Sequence, residues 1–354
     1  MPRAACRAPN EVRSIVTNWY GRVGVNPTVP TRTATWHPTV SVVIPTVGKP
    51  GLRRAVESVL AQTYPVTEVH VVVNSDDEVP VPDDPRVRLT RYVERRNGNA
   101  ARMAGVRMST GDLVAFLDDD DAWHPAKIER QVGDIAQAGL AGSSTWISST
   151  RVTVDFGDTT ETWPRAPYDP ERSLENNLLR RHRVRRGQAF LPSSTLLFPR
   201  SLPGTVPLDE ELRLHQDLTW LLQLSRSLPG LVVRQLDDAL VRYDAAGAGV
   251  SRSISLAREL DWAREYLRSA TPRDRGDYYL GSVMTYARRE AEMGAMVRVF
   301  SEGLRVGRPG APAVGYACGA VAAGLLKAVA AGVREPWRRG TGEATGAEVR
   351  RWRR

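Results

Sequence analysis

The sequence predicts an α/β protein: a Rossmann-like, mostly parallel sheet with flanking helices, followed by a C-terminal helical region. Three observations predict it. Short β-branched runs alternate with amphipathic helical spacing over residues 40–117, the pattern of strand–helix–strand units. Polar and acidic residues stand directly after these runs, at Thr46, at Asn74 and at Asp118, Asp119, Asp120 and Asp121. That is the carboxyl edge, where open parallel sheets bind their ligands. From about Ser255 the apolar spacing becomes helical and stays so to Val333.

The elements follow in order. Residues 40–45 (VSVVIP) are a β-branched run closed by proline, read as a buried strand. Residues 52–62 place Leu52, Val56, Val59 and Leu60 on one helical face. Residues 69–73 (VHVVV) and 87–92 are further strands; residues 100–108 are a helix ended by Thr110-Gly111. Residues 113–117 (LVAFL) are a strand that runs into the four aspartates. Beyond residue 140 the pattern changes. Strands are expected at 143–149, 194–198 and along 231–243, with a helix at 218–224. Residues 278–293 and 295–306 read as a helical hairpin, residues 1–38 as an irregular arm, and residues 334–354 as a disordered Arg-rich tail.

Composition narrows the function. The 354 residues suit two domains of ~100–200 residues. There are 49 basic and 40 acidic residues, a formal net charge of +9, which favours a polyanionic partner. No aromatic-interleaved basic patch or nucleic-acid motif accompanies that charge, so nucleic acid is not the expected partner. The two cysteines, Cys6 and Cys318, lie far apart, which excludes a disulfide framework and a Cys-based zinc site and suits a reducing compartment. No apolar run follows the N-terminal arginines, so no signal peptide is expected. Residues 313–333 are apolar except Lys327, but mostly Ala and Gly, so a packed helix is expected and not a span. A cytoplasmic protein follows, touching at most the inner face of a membrane peripherally.

The four adjacent aspartates carry the strongest chemical signal. They cannot all ionise cheaply without a counter-charge. At a strand end Asp118 and Asp120 face one way and Asp119 the other. Mg²⁺ or Mn²⁺ held by one or two carboxylates is the natural counter-charge, and such ions share their remaining sites with substrate phosphates. A solvated turn capping the next helix is the competing reading.

SVVIPTVGKPGLRRAVESVLAQTYP, then NGNAARMAGVRMSTGDLVAFLDDDDAWHPAKIERQ, then LDEELRLHQDLTWLLQL resemble, in order, the motifs of the inverting GT-A glycosyltransferases of family 2. The resemblance covers residues 39–245. It implies a GT-A domain over 39–250, with a nucleotide-sugar half at 39–135 and an acceptor half at 136–250, before a helical region at 251–333. It implies that Pro45, Thr46 and Val47 line the nucleotide base pocket, and that Arg102 faces the nucleotide. Asp118 and Asp119 would contact the donor. Asp120 would hold Mn²⁺ or Mg²⁺, with Asp118 as second ligand, in a DXD arrangement. Asp217 would be the general base. The implied donor is a nucleoside-diphosphate sugar, a UDP-sugar first.

The chain departs from the family in three places. Asn74 stands where the family has an aspartate that accepts from the base; its carbonyl accepts too, or Asp76 or Asp77 takes the role. Gln216 replaces a frequent Glu, and Met103 a frequent Asn. On the acceptor side, Trp146 and Trp163 could stack on a sugar, or simply pack. Arg180, Arg181, Arg183, Arg185 and Arg186 could bind an anionic or lipid-linked acceptor, or form a solvated face. His124 and His215 flank the acidic run and Asp217 and are candidate ligands or, for His215, an acceptor contact. Two other functions compete. A sugar nucleotidyltransferase would need a loop after the first strand richer in Gly, Lys and Arg than TVGKP. A non-catalytic sugar-nucleotide or polyanion binder has Asn74 in its favour and the retained Asp217 against it.

Overall fold

The computed structural model describes residues 36–338 except 77, 93–96, 166–167, 185–189, 246–253 and 291. Most of the expected arm, the tail beyond 338, Asp77, Arg185 and Arg186 therefore lie outside the described residues. The described residues fall into two compact units: those of Met1–Leu178 and Arg186–Ser253, and those of Leu179–Arg185 and Ile254–Arg354.

The first unit is built on β1 (Val40–Thr46), α1 (Leu52–Leu60), β2 (Glu68–Val73), β3 (Val87–Arg91), α2 (Gly98–Met108), β4 (Leu113–Phe116), β5 (Ala122–Trp123), α3 (Lys127–Gln137), β6 (Trp146–Asp155), β7 (Thr160–Trp163), α4 (Leu174–Leu179), β8 (Leu197–Pro199), α5 (Leu202–Thr205), α6 (Gln216–Ser227) and β9 (Val232–Asp244). The sheet runs β3-β2-β1-β4-β8-β6-β9-β5, with β7 beside β6. Strand β1 alternates between two apolar layers. Val40, Val42 and Ile44 face α1 and α3, while Val43 joins Val114, Phe116, α2 and α6 on the other side. Both faces are covered, which is why these strands read as continuous apolar runs.

The sheet is parallel from β3 through β2 and β1 to β4, and mixed beyond. Residues 194–198, expected as a strand, begin instead as a 3₁₀ turn at Ser193–Thr195. The Thr195 hydroxyl donates to the Pro192 carbonyl at 2.7 Å and closes that turn. Only Leu197–Pro199 is strand, and it returns antiparallel to β4. The strand expected at 143–149 starts later, at Trp146, and runs to Asp155 against a single long β9.

The second unit is helical, as expected: α7 (Leu256–Tyr266), α8 (Pro272–Tyr278), a π turn (Tyr279–Val283), α9 (Met284–Arg289), α10 (Met293–Val306) and α11 (Ala311–Arg338). Helix α11 runs past residue 333 into the segment expected as disordered tail. Ala313, Ala317 and Ala320 are its buried face, whereas Leu325 and Leu326 are exposed. Among the described residues no helix is long and apolar enough to cross a membrane.

Close helix–sheet contact sets the position of α2, and with it Arg102. A Cβ on Gly105 would lie 2.3 Å from Val43 Cγ1 on β1. Gly105→Ala is expected to cost about 1–3 kcal/mol by overpacking. Val43→Ala in the same chain should return part of that loss; equal stability of wild type and Gly105→Ala in urea unfolding would contradict the contact.

Candidate active site

The chain turns directly after β4, where the Asp121 N–H donates to the Asp118 carbonyl at 3.2 Å. The four aspartates thus lie in a turn and not on a strand, and the turn sorts them. Asp118 and Asp120 keep side chains 29% and 30% exposed. Asp119 and Asp121 are buried. Each inward carboxylate has a hydroxyl donor: Thr46 to Asp119 at 2.6 Å, and Ser194 to Asp121 at 2.5 Å. The Asp244 N–H also donates to Asp121, at 3.1 Å.

The protein supplies its own counter-charges. Lys49 Nζ, on the loop after β1, lies 2.7 Å from Asp120 and 3.3 Å from Asp119. Arg102 Nη2, on α2, donates to Asp118 at 2.5 Å and to the Ser193 hydroxyl at 3.1 Å. Gly51 lets the Lys49 loop press against the turn, since a Cβ there would sit 2.6 Å from the Asp119 carbonyl oxygen. Burial works against the Lys49 ammonium, but the Asp120 and Asp119 carboxylates outweigh it and raise its pKa. Burial, with Asp118 and Asp119 nearby, pushes Asp120 up despite Lys49. Asp121 is pushed well up, by burial first and by the charge of Asp118 next.

Asp217 is carried by α6. It is the second residue of α6, whose Trp220, Leu221 and Leu224 are buried. Trp220 rests on Phe198 at 5.1 Å and donates from Nε1 to the Val206 carbonyl, which fixes the helix. His215 precedes it at φ 51°, in the left-handed region. Asp217 is not the cap of this helix. Its carboxylate accepts from the Leu218 N–H at 2.8 Å and from the Ser193 N–H at 3.3 Å. Ser193 therefore touches both proposed partners, because its hydroxyl donates to Asp118 at 3.1 Å. Gln216 joins the same network by accepting from Arg102 Nη1 at 2.9 Å. The asparagines of the NGNAAR segment hold the approach to α6: Asn97 donates to the Glu210 carbonyl at 2.7 Å and Asn99 to the Asp209 carbonyl at 3.0 Å.

Comparison with known proteins finds glycosyltransferases over part of the chain. Residues 41–202 match Glycosyl transferase family 2. The chain carries a family 2 glycosyltransferase domain. The putative teichuronic acid biosynthesis glycosyltransferase TuaG of Bacillus subtilis is 26% identical over 241 residues, covering 64% of this chain and 87% of that protein. The amylovoran biosynthesis glycosyltransferase AmsB of Erwinia amylovora is 27% identical over 133 residues, 37% of this chain, and the match spans 42% of AmsB. Among solved structures, S. aureus TarS 1-349 in complex with UDP-GlcNAc is similar at 15% identity and a TM-score of 0.46, over 76% of this chain and 72% of that one. In this chain the described residues form a mixed sheet with flanking helices, and the helical region follows it in sequence.

Within the family 2 domain, most residues expected at the site meet at one edge of the sheet. Thr46 and Asn74 are adjacent, with the Asn74 N–H donating to the Thr46 carbonyl at 2.8 Å. Pro45 ends the run before them, Val47 is exposed beside it, and Asp76 is exposed on the loop after β2. Trp146 is a correction. It is fully buried, edge-on to Trp36 at 6.3 Å, with Nε1 donating to the Ser143 carbonyl, so it has no face for a sugar. Two arginines of the cluster are engaged within the second unit. Arg180 pairs with Asp274 and Arg181 stacks 3.7 Å from the Tyr316 ring, so both hold the helical unit together. Arg183 is exposed but belongs to that second unit. His124 turns Nδ1 inward to accept the Ala126 N–H at 3.2 Å, an arrangement that orders the loop and not a metal.

Sequence reasoning missed Lys49, Ser193, Ser194 and Tyr243. Burial first, then the charges of Asp121, Asp217, Asp118 and Asp120, raise the Tyr243 pKa. The Pro-Ser-Ser sequence at 192–194 was the available signal for the serines. Gln62, visible only as part of the AQTYP motif, anchors the chain after the turn by donating to the His124 carbonyl at 2.9 Å and accepting the Ile128 N–H at 3.1 Å.

The raised pKa of Asp121 has a sign that can be tested. A carboxyl raised in the folded state favours folding when protonated, and that contribution fades as pH rises from its unfolded value through the folded one. At neutral pH the charge is a cost. Asp121→Asn removes the charge, keeps one acceptor oxygen for the Asp244 N–H and turns its amide N–H2 to the Ser194 hydroxyl, which can accept, so a gain of about 1 kcal/mol, ~2–4 °C in Tm, is expected at pH 7 and none near pH 3. A lower Tm at pH 7 would contradict it.

Proposed function

We propose that the chain is a metal-dependent inverting glycosyltransferase, which moves a sugar from a nucleoside-diphosphate sugar, a UDP-sugar first, to an acceptor hydroxyl. One observation carries this reading. Ser193 joins Asp118 and Asp217 through its own hydroxyl and N–H, so a donor-side carboxylate and a candidate base share one edge of the sheet. Asp217 lies beyond the residues matched to the family, and its role rests on this geometry and on the sequence resemblance.

The reaction assigns work to each group. Thr46 and Val47 border the nucleotide at the end of β1, with the Asn74 amide and Asp76 close to the base. The Arg102 guanidinium is buried, and its Nε has no hydrogen-bond partner among the described residues, a donor available to a ligand beside Asp118. Asp217 takes the proton of the acceptor hydroxyl as its oxygen attacks the anomeric carbon and the nucleoside diphosphate leaves from the opposite face.

The residues present fit a hard divalent ion. Among the described residues no cluster of three or more His, Cys, Asp or Glu side chains forms a closed cage. The turn instead offers two half-exposed carboxylates, Asp120 and Asp118, the number through which Mg²⁺ or Mn²⁺ is bound when phosphates complete its shell. Such an ion would neutralise charge on the departing diphosphate. The acceptor is read as a saccharide under assembly, in line with the biosynthetic roles in the names of TuaG and AmsB.

Asp217→Asn separates a base from a structural carboxylate, since Asn still accepts the Ser193 N–H. The expected outcome is a loss of about 10²-fold or more in kcat with donor KM nearly unchanged, measured in steady-state transfer. Near-normal kcat would remove Asp217 from the mechanism.

A further inference from the structure

Lys49 occupies the place that the proposed metal would take. Its Nζ sits 2.7 Å from Asp120 Oδ2, a carboxylate 30% exposed, and 3.3 Å from buried Asp119. The loop that carries it and the start of α1 are both fastened to the turn. The Gly48 N–H donates to the Thr46 hydroxyl at 2.8 Å, and that hydroxyl donates to Asp119. Arg54 Nη2 donates to the Asp120 carbonyl at 2.5 Å. Gly51 lies against the Asp119 backbone. The backbone is thus fixed, but the lysine stem is flexible and its side chain 35% exposed, so the ammonium can leave while the loop stays.

A cation cannot join Asp120 at close range while an ammonium holds the same carboxylate, since two like charges would then share one seat. The obstacle disappears if the ammonium is given another anion. A donor diphosphate beside Asp120 is such an anion.

We propose that Lys49 is the resident cation of the acidic turn and couples the metal to the donor: it keeps Mn²⁺ or Mg²⁺ weakly bound on its own and moves to the diphosphate when nucleotide and metal enter together. This rests on the reading of Asp120 as a metal ligand. Coupling of this kind is reciprocal, so the metal must tighten the nucleotide by the same factor as the nucleotide tightens the metal.

The test is Mn²⁺ binding to the intact protein, read by the electron paramagnetic resonance signal of free Mn²⁺, with and without uridine diphosphate. In wild type, uridine diphosphate should tighten Mn²⁺ at least tenfold. Lys49→Met should bind Mn²⁺ alone about tenfold more tightly than wild type and show much less tightening by the nucleotide. Lys49→Arg, which keeps the charge, should follow wild type, and Asp120→Asn added to Lys49→Met should abolish the gain. If wild type shows nucleotide-dependent Mn²⁺ binding but Lys49→Met matches it in both conditions, the coupling role is wrong and the metal seat stands. If no protein binds Mn²⁺ even with the nucleotide, the metal seat is wrong and the coupling falls with it.

Discussion

Charge balance at the acidic turn is the constraint around which the first unit is arranged. Two like charges ~5 Å apart repel by roughly 3 kcal/mol at an effective dielectric of 20, and this turn carries four carboxylates. Each is answered from a different part of the chain. Lys49 comes from the loop after β1 to Asp120, Arg102 from α2 to Asp118, Thr46 from the end of β1 to Asp119, and Ser194 from the 3₁₀ turn before β8 to Asp121, joined there by the Asp244 N–H from the end of β9. Those segments meet because β1, β4, β8 and β9 belong to one sheet. The sheet order therefore explains the site, and the site's charge explains why these particular polar residues lie inside an otherwise apolar unit.

The balance is uneven, and the unevenness is useful. Asp119 and Asp121 point inward and are tied by hydroxyls, so they serve as the floor of the turn. Asp118 and Asp120 are held by cations yet remain half-exposed, so they are able to exchange partners. Burial and mutual repulsion raise Asp120 and Asp121, which marks the turn as a place where stability is given up.

The first half of the fold was legible because its signals are local. The runs VSVVIP, VHVVV and LVAFL are fully or nearly fully buried strands, and α1 shows its apolar face in four residues. The second half of the sheet unit was legible only in outline. The chain at 193–199 has strand-like composition, but a turn closed by Thr195 takes its first residues, a competition between side-chain hydrogen bonds and the ladder that composition does not display. The counter-charges were not legible for a different reason: Lys49 and Asp120 are 71 residues apart, and Ser194 and Asp121 are 73. Without those partners the aspartates seemed to demand a metal, whereas the chain's own cations answer them first. Trp146 shows the same limit, since a tryptophan on a strand reads alike whether it faces a ligand or the core.

The central claim is that this edge of the sheet activates a sugar nucleotide. It is tested most directly by incubating the protein with a panel of nucleoside-diphosphate sugars and Mn²⁺ or Mg²⁺, without any acceptor, and measuring free nucleoside diphosphate with and without excess EDTA. The account predicts slow hydrolysis of one donor class, a UDP-sugar first, that stops in EDTA. Equal turnover in EDTA would contradict the metal, and no binding or turnover of any donor would contradict the claim itself.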